Sequence, residues 1–287
     1  MQPLLVDLSD NALLAITGDD ATTFLQGQLT NDVAALKQGE SQWNGWCSPK
    51  GRLIASLLLL KRPDGYFAML TAELAPAIAK RLSMFVLRSK VKVADVSADY
   101  VRLGVIGEVP PDSAAVSIAP GLAVALAPHG DARVEGLRQA AAPGTPADWT
   151  RALIHAGIPT IVAATQDEFV PQMANFDIIG AVSFRKGCYT GQEIVARTQY
   201  RGILKKRMAL AHVDGATPTP GQSVYSEAFG DQSAGTVANV APAREGGYDL
   251  LVVAQVEGLR NRNLRLGAPD GAPISIRSHP PLDTAAR

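Results

Sequence analysis

The chain has 287 residues, 47% of them hydrophobic and 19% charged, with 27 Lys and Arg balancing 27 Asp and Glu. That length suggests about two domains with sizeable cores, and the charge balance argues against a nucleic-acid binder that works through bulk charge, so any anion site must be local. Two cysteines, Cys47 and Cys188, are too few for a disulfide framework. The opening MQPLLVDLSD lacks the basic and apolar regions of a signal peptide, and the aliphatic run Leu57–Leu60 is far short of the ~20 residues a membrane helix needs. The expectation is a soluble protein of a reducing compartment, the cytoplasm.

ALLAITG (Ala12–Gly18) reads as a strand ended by glycine. Asp19 or Asp20 can then cap a short helix, ATTFLQGQL, by accepting amides of its first turn. Its apolar residues Ala21, Phe24, Leu25 and Leu29 follow helical spacing. Arg52–Arg62 and Tyr66–Thr71 read as paired strands joined by the turn Pro63-Asp64-Gly65. Leu74–Arg88 reads as an amphipathic helix, and VKVADV and VRLGVIG as further strands. Thr145 is a good N-cap with Pro146 at the first helical position, and Gly157 with Pro159 stops that helix. One face of it carries Trp149, Ala152, Leu153 and Ala156. After about residue 208, short β-rich runs separated by Pro and Gly turns predict a small antiparallel barrel.

The chemistry concentrates in KGCYTGQE, Lys186–Glu193. Thr190 and Glu193, three apart before an apolar run, form a capping-box signature and predict a helix over about Gly191–Arg197. Cys188 would then lie just ahead of a helix N-terminus, with Arg185 and Lys186 beside it. Both features favour a thiolate with a pKa below the free value of ~8.5. Gly187 and Gly191 let the backbone bend around it. The alternative is that a lone cysteine is a small buried hydrophobe. From Arg185 to Arg207 the cations Arg185, Lys186, Arg197, Arg201, Lys205, Lys206 and Arg207 face one acid, Glu193. They form either a solvated face or the rim of a pocket for a carboxylate-rich or phosphate-rich partner. There is no Walker loop, GxGxxG, HExxH or CxxC, and the four histidines show no metal-ligand spacing. Two cysteines cannot hold a [4Fe–4S] cluster within one chain, which takes about four, although Cys188 from two chains could bridge a smaller one.

The stretch Phe169–Arg197, FVPQMANFDIIGAVSFRKGCYTGQEIVAR, resembles the signature of the YgfZ family, folate-binding proteins of iron–sulfur cluster assembly or maintenance related to the aminomethyltransferase (T-protein) of the glycine cleavage system. FLQGQLTNDV (Phe24–Val33) and HAGIP (His155–Pro159) support it in the same order. The resemblance implies an α+β, T-protein-like three-domain ring around a central hole that binds tetrahydrofolate. Its folate-binding region would be 1–200, as interleaved subdomains 1–45 with 145–200 and 46–144, followed by a C-terminal β-barrel over 201–287. By the same carry-over Trp149 stacks on the pterin, and Gln172, Asn175, Asn31 and Asp32 are candidates for pterin hydrogen bonds. Arg197 and Arg201 would meet the glutamate tail. Lys186, Gly187, Cys188, Tyr189, Gly191, Gln192 and Glu193 form the family motif, with Cys188 as the candidate thiolate.

The implied function is a tetrahydrofolate-binding accessory factor for iron–sulfur client enzymes, tRNA-modifying radical enzymes among them. No stably bound metal, no direct nucleic-acid binding and no membrane association are expected. One departure stands out. The catalytic aspartate of the true aminomethyltransferases should lie in KGRLIASLLLL, where Ala55 and Ser56 stand and no acid does. A folate-dependent one-carbon transferase or demethylase is therefore the alternative reading, with Cys188 as nucleophile.

Overall fold

The structure, a computed structural model, describes residues 2–110, 113–201 and 204–282, the side chain of Arg201 excepted. In chain order the first elements are β1 (Leu4–Asp7), β2 (Asn11–Thr17), α1 (Ala21–Gln28), β3 (Ser41–Cys47), β4 (Leu53–Arg62), β5 (Gly65–Thr71) and α2 (Ala75–Val86). There follow β6 (Lys92–Asp95), β7 (Tyr100–Ile106), β8 (Ala115–Ala119), β9 (Leu122–Pro128), α3 (Ala132–Ala140), β10 (Ala142–Pro143) and α4 (Pro146–His155). The remainder is α5 (Gln192–Arg201), β11 (Lys206–Val213), β12 (Ser223–Ser226), β13 (Gly235–Pro242), β14 (Tyr248–Gln255), α6 (Val256–Asn261), β15 (Leu264–Leu266) and β16 (Ile274–Ser278).

The strands form three sheets, ordered β3-β4-β5-β2-β6, β10-β1-β7-β9-β8 and β15-β12-β13-β14-β11-β16. The first is antiparallel throughout and explains the apolar run in β4. Successive side chains of a strand point to opposite faces. Leu57 and Leu59 enter the core shared with α1 and α2, while Leu58 and Leu60 enter a second core with Trp149 and Leu153 of α4. A strand covered on both faces reads as continuous hydrophobicity. The third sheet curls into a half-barrel, and a bridge between Arg265 and Pro273 brings its two edge strands together.

Sheet membership joins residues 4–7 with 100–143, and 11–95 on their own. This differs from a division into 1–45 with 145–200 and 46–144. The reason is the antiparallel pairing of β1 with β7, Val6 opposite Gly104, which local periodicity does not encode. The expected cap of α1 also differs. Asp20 occupies the N-cap position, but its carboxylate accepts the Lys90 backbone N–H at 2.7 Å and caps no amide of the helix. Thr145 caps α4 as its sequence indicates, completing a capping box with Asp148.

Candidate functional site

The Cys188 loop is built from below by Lys186. Its ammonium is buried and donates to the carbonyls of Gln26 at 2.6 Å and Leu29 at 2.5 Å, at the end of α1 where carbonyls lack helical partners. Burial pushes the lysine down to about 8, against a smaller opposing pull from Asp32. Lys186 therefore turns inward and is not a surface neighbour of the thiol. Its ammonium also lies 5.0 Å from the centre of the buried Tyr189 ring. Burial, and then the neighbouring Cys47, push the Tyr189 phenol up. Gly187 and Cys188, between these two anchors, are exposed. Cys47 is the opposite case. It is buried, and burial, then the charge of Asp167, push its thiol up to about 12.

The turn Ser48–Gly51 docks against the start of α5. Gly51 and Gly191 both have left-handed backbones, with φ of +69° and +81°, and their main chains touch with no room for a side chain. The segment from Phe169 to Phe176 is irregular yet buried, so its polar groups need partners inside the protein. Arg207 supplies several. It donates to the Gln172 carbonyl at 2.5 Å and forms a two-bond pair with Asp177 at 2.7 and 2.9 Å. Of the cations expected on a rim, Lys186 and Arg207 are thus buried structural groups, and Arg185 and Arg197 are exposed. The Arg201 side chain lies outside the described residues.

Gln172 and Asn175 are buried. Their side-chain amides donate to the carbonyls of Val195 at 2.7 Å and Met208 at 3.0 Å, and their side-chain oxygens have no partner. Asn31 spends its amide on the carbonyls of Trp43 and Gly180 and its oxygen on the Asp32 N–H. Asp32 accepts from Gln26. Asn31 and Asp32 therefore hold loops together, and Asn175 borders a separate cavity beyond the end of α4.

Trp149 borders a cavity. One ring face rests on Gly104, where a β-carbon would come within 2.5 Å of the indole. The ring also lines a cavity of about 210 Å³ bounded by Asp10, Asn11 and Thr71 of the first sheet and by Asn239 of the half-barrel. A smaller recess of about 20 Å³ continues from it past Trp43 and Ser56. Asn239 exchanges two hydrogen bonds with the Thr160 main chain, at 3.0 and 2.9 Å, and so fixes the far wall. Trp43, Asn11 and Asn239 went unread in the sequence as cavity residues. No local pattern marks them; a β-bulge lies beside Asn239 in the folded strand. Cys188 is not among the residues lining the Trp149 cavity. The thiol and the cavity are two places.

Residues 2–117 match the GCVT N-terminal domain family. The chain is 34% identical over 229 residues to the tRNA-modifying protein YgfZ of Enterobacter sp. (strain 638), covering 71% of this chain and 70% of that protein. It is 35% identical over 225 residues to the tRNA-modifying protein YgfZ of Vibrio vulnificus (strain CMCP6), covering 71% and 69%. The chain belongs to the YgfZ family. Its fold is that of the glycine cleavage system aminomethyltransferase T from Bartonella henselae, with a TM-score of 0.74 at 16% identity, over 100% of this chain and 87% of that one. Within this YgfZ-family fold, Cys188 stands exposed on a loop anchored by Lys186 and Tyr189, and Trp149 lines a cavity walled by two sheets. Among the described residues no helix is long and apolar enough to cross a membrane, and no group of three or more His, Cys, Asp or Glu is placed to hold a metal.

Proposed function

We propose that this protein binds tetrahydrofolate in the Trp149 cavity and serves iron–sulfur client enzymes of the cytoplasm, tRNA-modifying ones among them, through Cys188. The observation that supports the folate reading is an indole facing a cavity of about 210 Å³ at the meeting of two sheets, in a chain of this family. That volume suits a bicyclic pterin, with the rest of the ligand leading outward. Trp149 would stack on the ring. Asp10, Asn11, Thr71 and Thr160 offer polar atoms at the cavity edge. Tetrahydrofolate, when bound, supplies carriage of a one-carbon unit. The chain's own part is to shield the ring from water and fix its orientation. Exposure leaves the Cys188 sulfur accessible to a cluster or a client thiol.

The test is calorimetric titration with tetrahydrofolate, followed in parallel by tryptophan fluorescence. Heat and quenching are expected, with quenching reduced in Trp149→Phe. Neither heat nor quenching would reject the folate reading. The cysteine's role is tested separately by complementing a family-null strain and assaying an iron–sulfur client. Full rescue by Cys188→Ser would reject it.

A transferase reading keeps one observation in its favour, the Asp10 carboxylate on the cavity wall. The position of the expected acid weighs against it. Ser56 stands there with its hydroxyl accepting the Ile161 N–H at 2.9 Å, a structural bond. Labelled methylene-tetrahydrofolate from a methylene donor, lost in Asp10→Asn, would establish turnover.

A further inference from the structure

Trp149 and Leu153 give one face of α4 to the cavity above. A second face, Asp148, Arg151 and His155, recurs at spacings of three and four and, with Ala152 at the boundary between the two faces, lines a larger cleft of about 620 Å³. The half-barrel closes it with His212, Asp249 and Arg277 and with the turn carrying Arg244 and Glu245.

The hydrogen-bonding capacity of this cleft is lopsided. Its half-buried carboxylates, Asp148 and Asp249, are spent. Asp148 takes the Thr145 N–H at 2.9 Å and hydroxyl at 2.6 Å on one oxygen and an Arg151 N–H on the other. Asp249 takes His155 Nε2 at 2.7 Å and His212 Nδ1 at 3.0 Å. These two acids hold Arg151, His155 and His212 in place and have little left for a ligand. The donors are not spent. Arg151 has five N–H groups, of which two are committed, to Asp148 and to the Pro242 carbonyl at 3.1 Å. Among the described residues Arg244 and Arg277 have no hydrogen-bonding or ionic partner. Glu245 is the one acid on the wall that is not engaged in this way. The remaining wall, Ile106, Leu210 and Ala243, is apolar.

We propose that this cleft is a second ligand site, separate from the Trp149 cavity, which takes a small phosphate ester. Arg151, Arg244 and Arg277 meet the phosphate oxygens, and the apolar wall meets the organic part. One guanidinium fork satisfies a carboxylate, whereas three arginines lining one cleft suit a group with three equivalent oxygens. The cleft volume leaves room for more than the phosphate alone.

The probe is inorganic pyrophosphate, titrated into the full chain at constant pH while the ring-proton NMR signals of all four histidines are followed. Saturable shifts of His155 and His212, with His129 and His279 unmoved, are expected. Arg244→Ala and Arg277→Ala, both at exposed positions, should each weaken binding by about tenfold, the loss of one hydrogen bond to a charged group. Tryptophan quenching by tetrahydrofolate should be unchanged in the double variant. The proposal is overturned if no histidine shifts, if all four shift alike, or if the double variant binds pyrophosphate as the parent does. Competition between tetrahydrofolate and pyrophosphate would overturn the separateness of the two sites.

Discussion

The backbones of Gly51 and Gly191 meet so closely that a β-carbon on residue 191 would lie 2.8 Å from the Gly51 Cα and 2.5 Å from the Ser48 carbonyl oxygen. This contact clamps the Ser48–Gly51 turn onto the start of α5 and so fixes the framework from which Cys188 projects. Gly191→Ala adds a left-handed backbone penalty to that clash, about 1–3 kcal/mol at least. Gly187, in the same motif, has open space around its Cα. Gly187→Ala should stay within about 0.5 kcal/mol of the parent. Urea unfolding of the two variants checks the contrast. Equal stabilities would remove the clamp from the account.

Lys186 is the second anchor. Lys186→Met leaves the Gln26 and Leu29 carbonyls without their donor and should cost about 1–3 kcal/mol near neutral pH. The pH dependence has a definite sign. The lysine titrates near 8 in the folded protein, against 10.5 for the free group, because burial penalises its charge. Between those values the unfolded chain binds more protons, so the stability contribution of this group rises with pH there. The rise should be present in the parent and missing in Lys186→Met when unfolding midpoints are compared between pH 7.5 and 10.5.

Much of this was legible locally. Thr145 and Pro146 announced α4, and Pro63-Asp64-Gly65 announced the hairpin, because caps and tight turns are satisfied by neighbours in sequence. The curled third sheet followed from short strands between turns. What the sequence could not show are bonds across long separations. Asp20 had a helix to cap and instead holds the Lys90 amide. Lys186 looked like a cation beside a thiol and instead reaches a helix end some 157 residues earlier. Arg207 looked like part of a basic rim and is buried against Asp177. A charge run in sequence carries no sign of which members turn inward. The Trp149 position was legible, but its partners Asn11, Trp43 and Asn239 come from three remote strands.

The two cysteines should behave oppositely toward an alkylating agent. Cys188 is exposed, while Cys47 is buried with its thiol held up to about 12. The thiolate is the reactive form. Iodoacetamide on the native protein at pH 7.5 should add one carbamidomethyl group, at Cys188, and on the unfolded chain two. Peptide mass spectrometry reads the result. Modification of native Cys47 would contradict the burial described here.

Gly104 gives a way to disturb the proposed folate site at the Trp149 cavity without substituting a lining residue. A β-carbon there would press within 2.5 Å of the Trp149 ring. Gly104→Ala should therefore displace the indole and weaken tetrahydrofolate binding by about tenfold, for a loss of roughly 1.4 kcal/mol. Gly136→Ala, in α3 where nothing lies within 4 Å and the backbone is helical, is the comparison that isolates the ring contact from the effect of an added methyl group. Unaltered affinity in Gly104→Ala would mean that the ligand does not read the position of Trp149.

Asp249 of the half-barrel reaches α4 through His155 and its own sheet neighbour through His212, and that chain should be visible as a pH dependence. The bond to Asp249 raises His212 above its ordinary 6.5, with burial acting against it and Asp214 adding to it. A group whose folded value is raised stabilises most below its unfolded value and loses that contribution as pH rises through the folded one. For Asp249, burial acts to raise the carboxyl, but the bonds from His155 and His212 outweigh it and the net shift is downward. Its contribution is present above the ordinary carboxylate value of 3.8 and disappears as pH falls through the lowered one. The parent should therefore lose stability as pH climbs through and above 6.5, relative to Asp249→Asn. The asparagine variant lacks the charge on which both shifts depend, so its midpoint should vary less over the same range. Urea midpoints between pH 5.5 and 9 give the comparison. Parallel curves for the two proteins would show that the His155–Asp249–His212 chain carries no net stability.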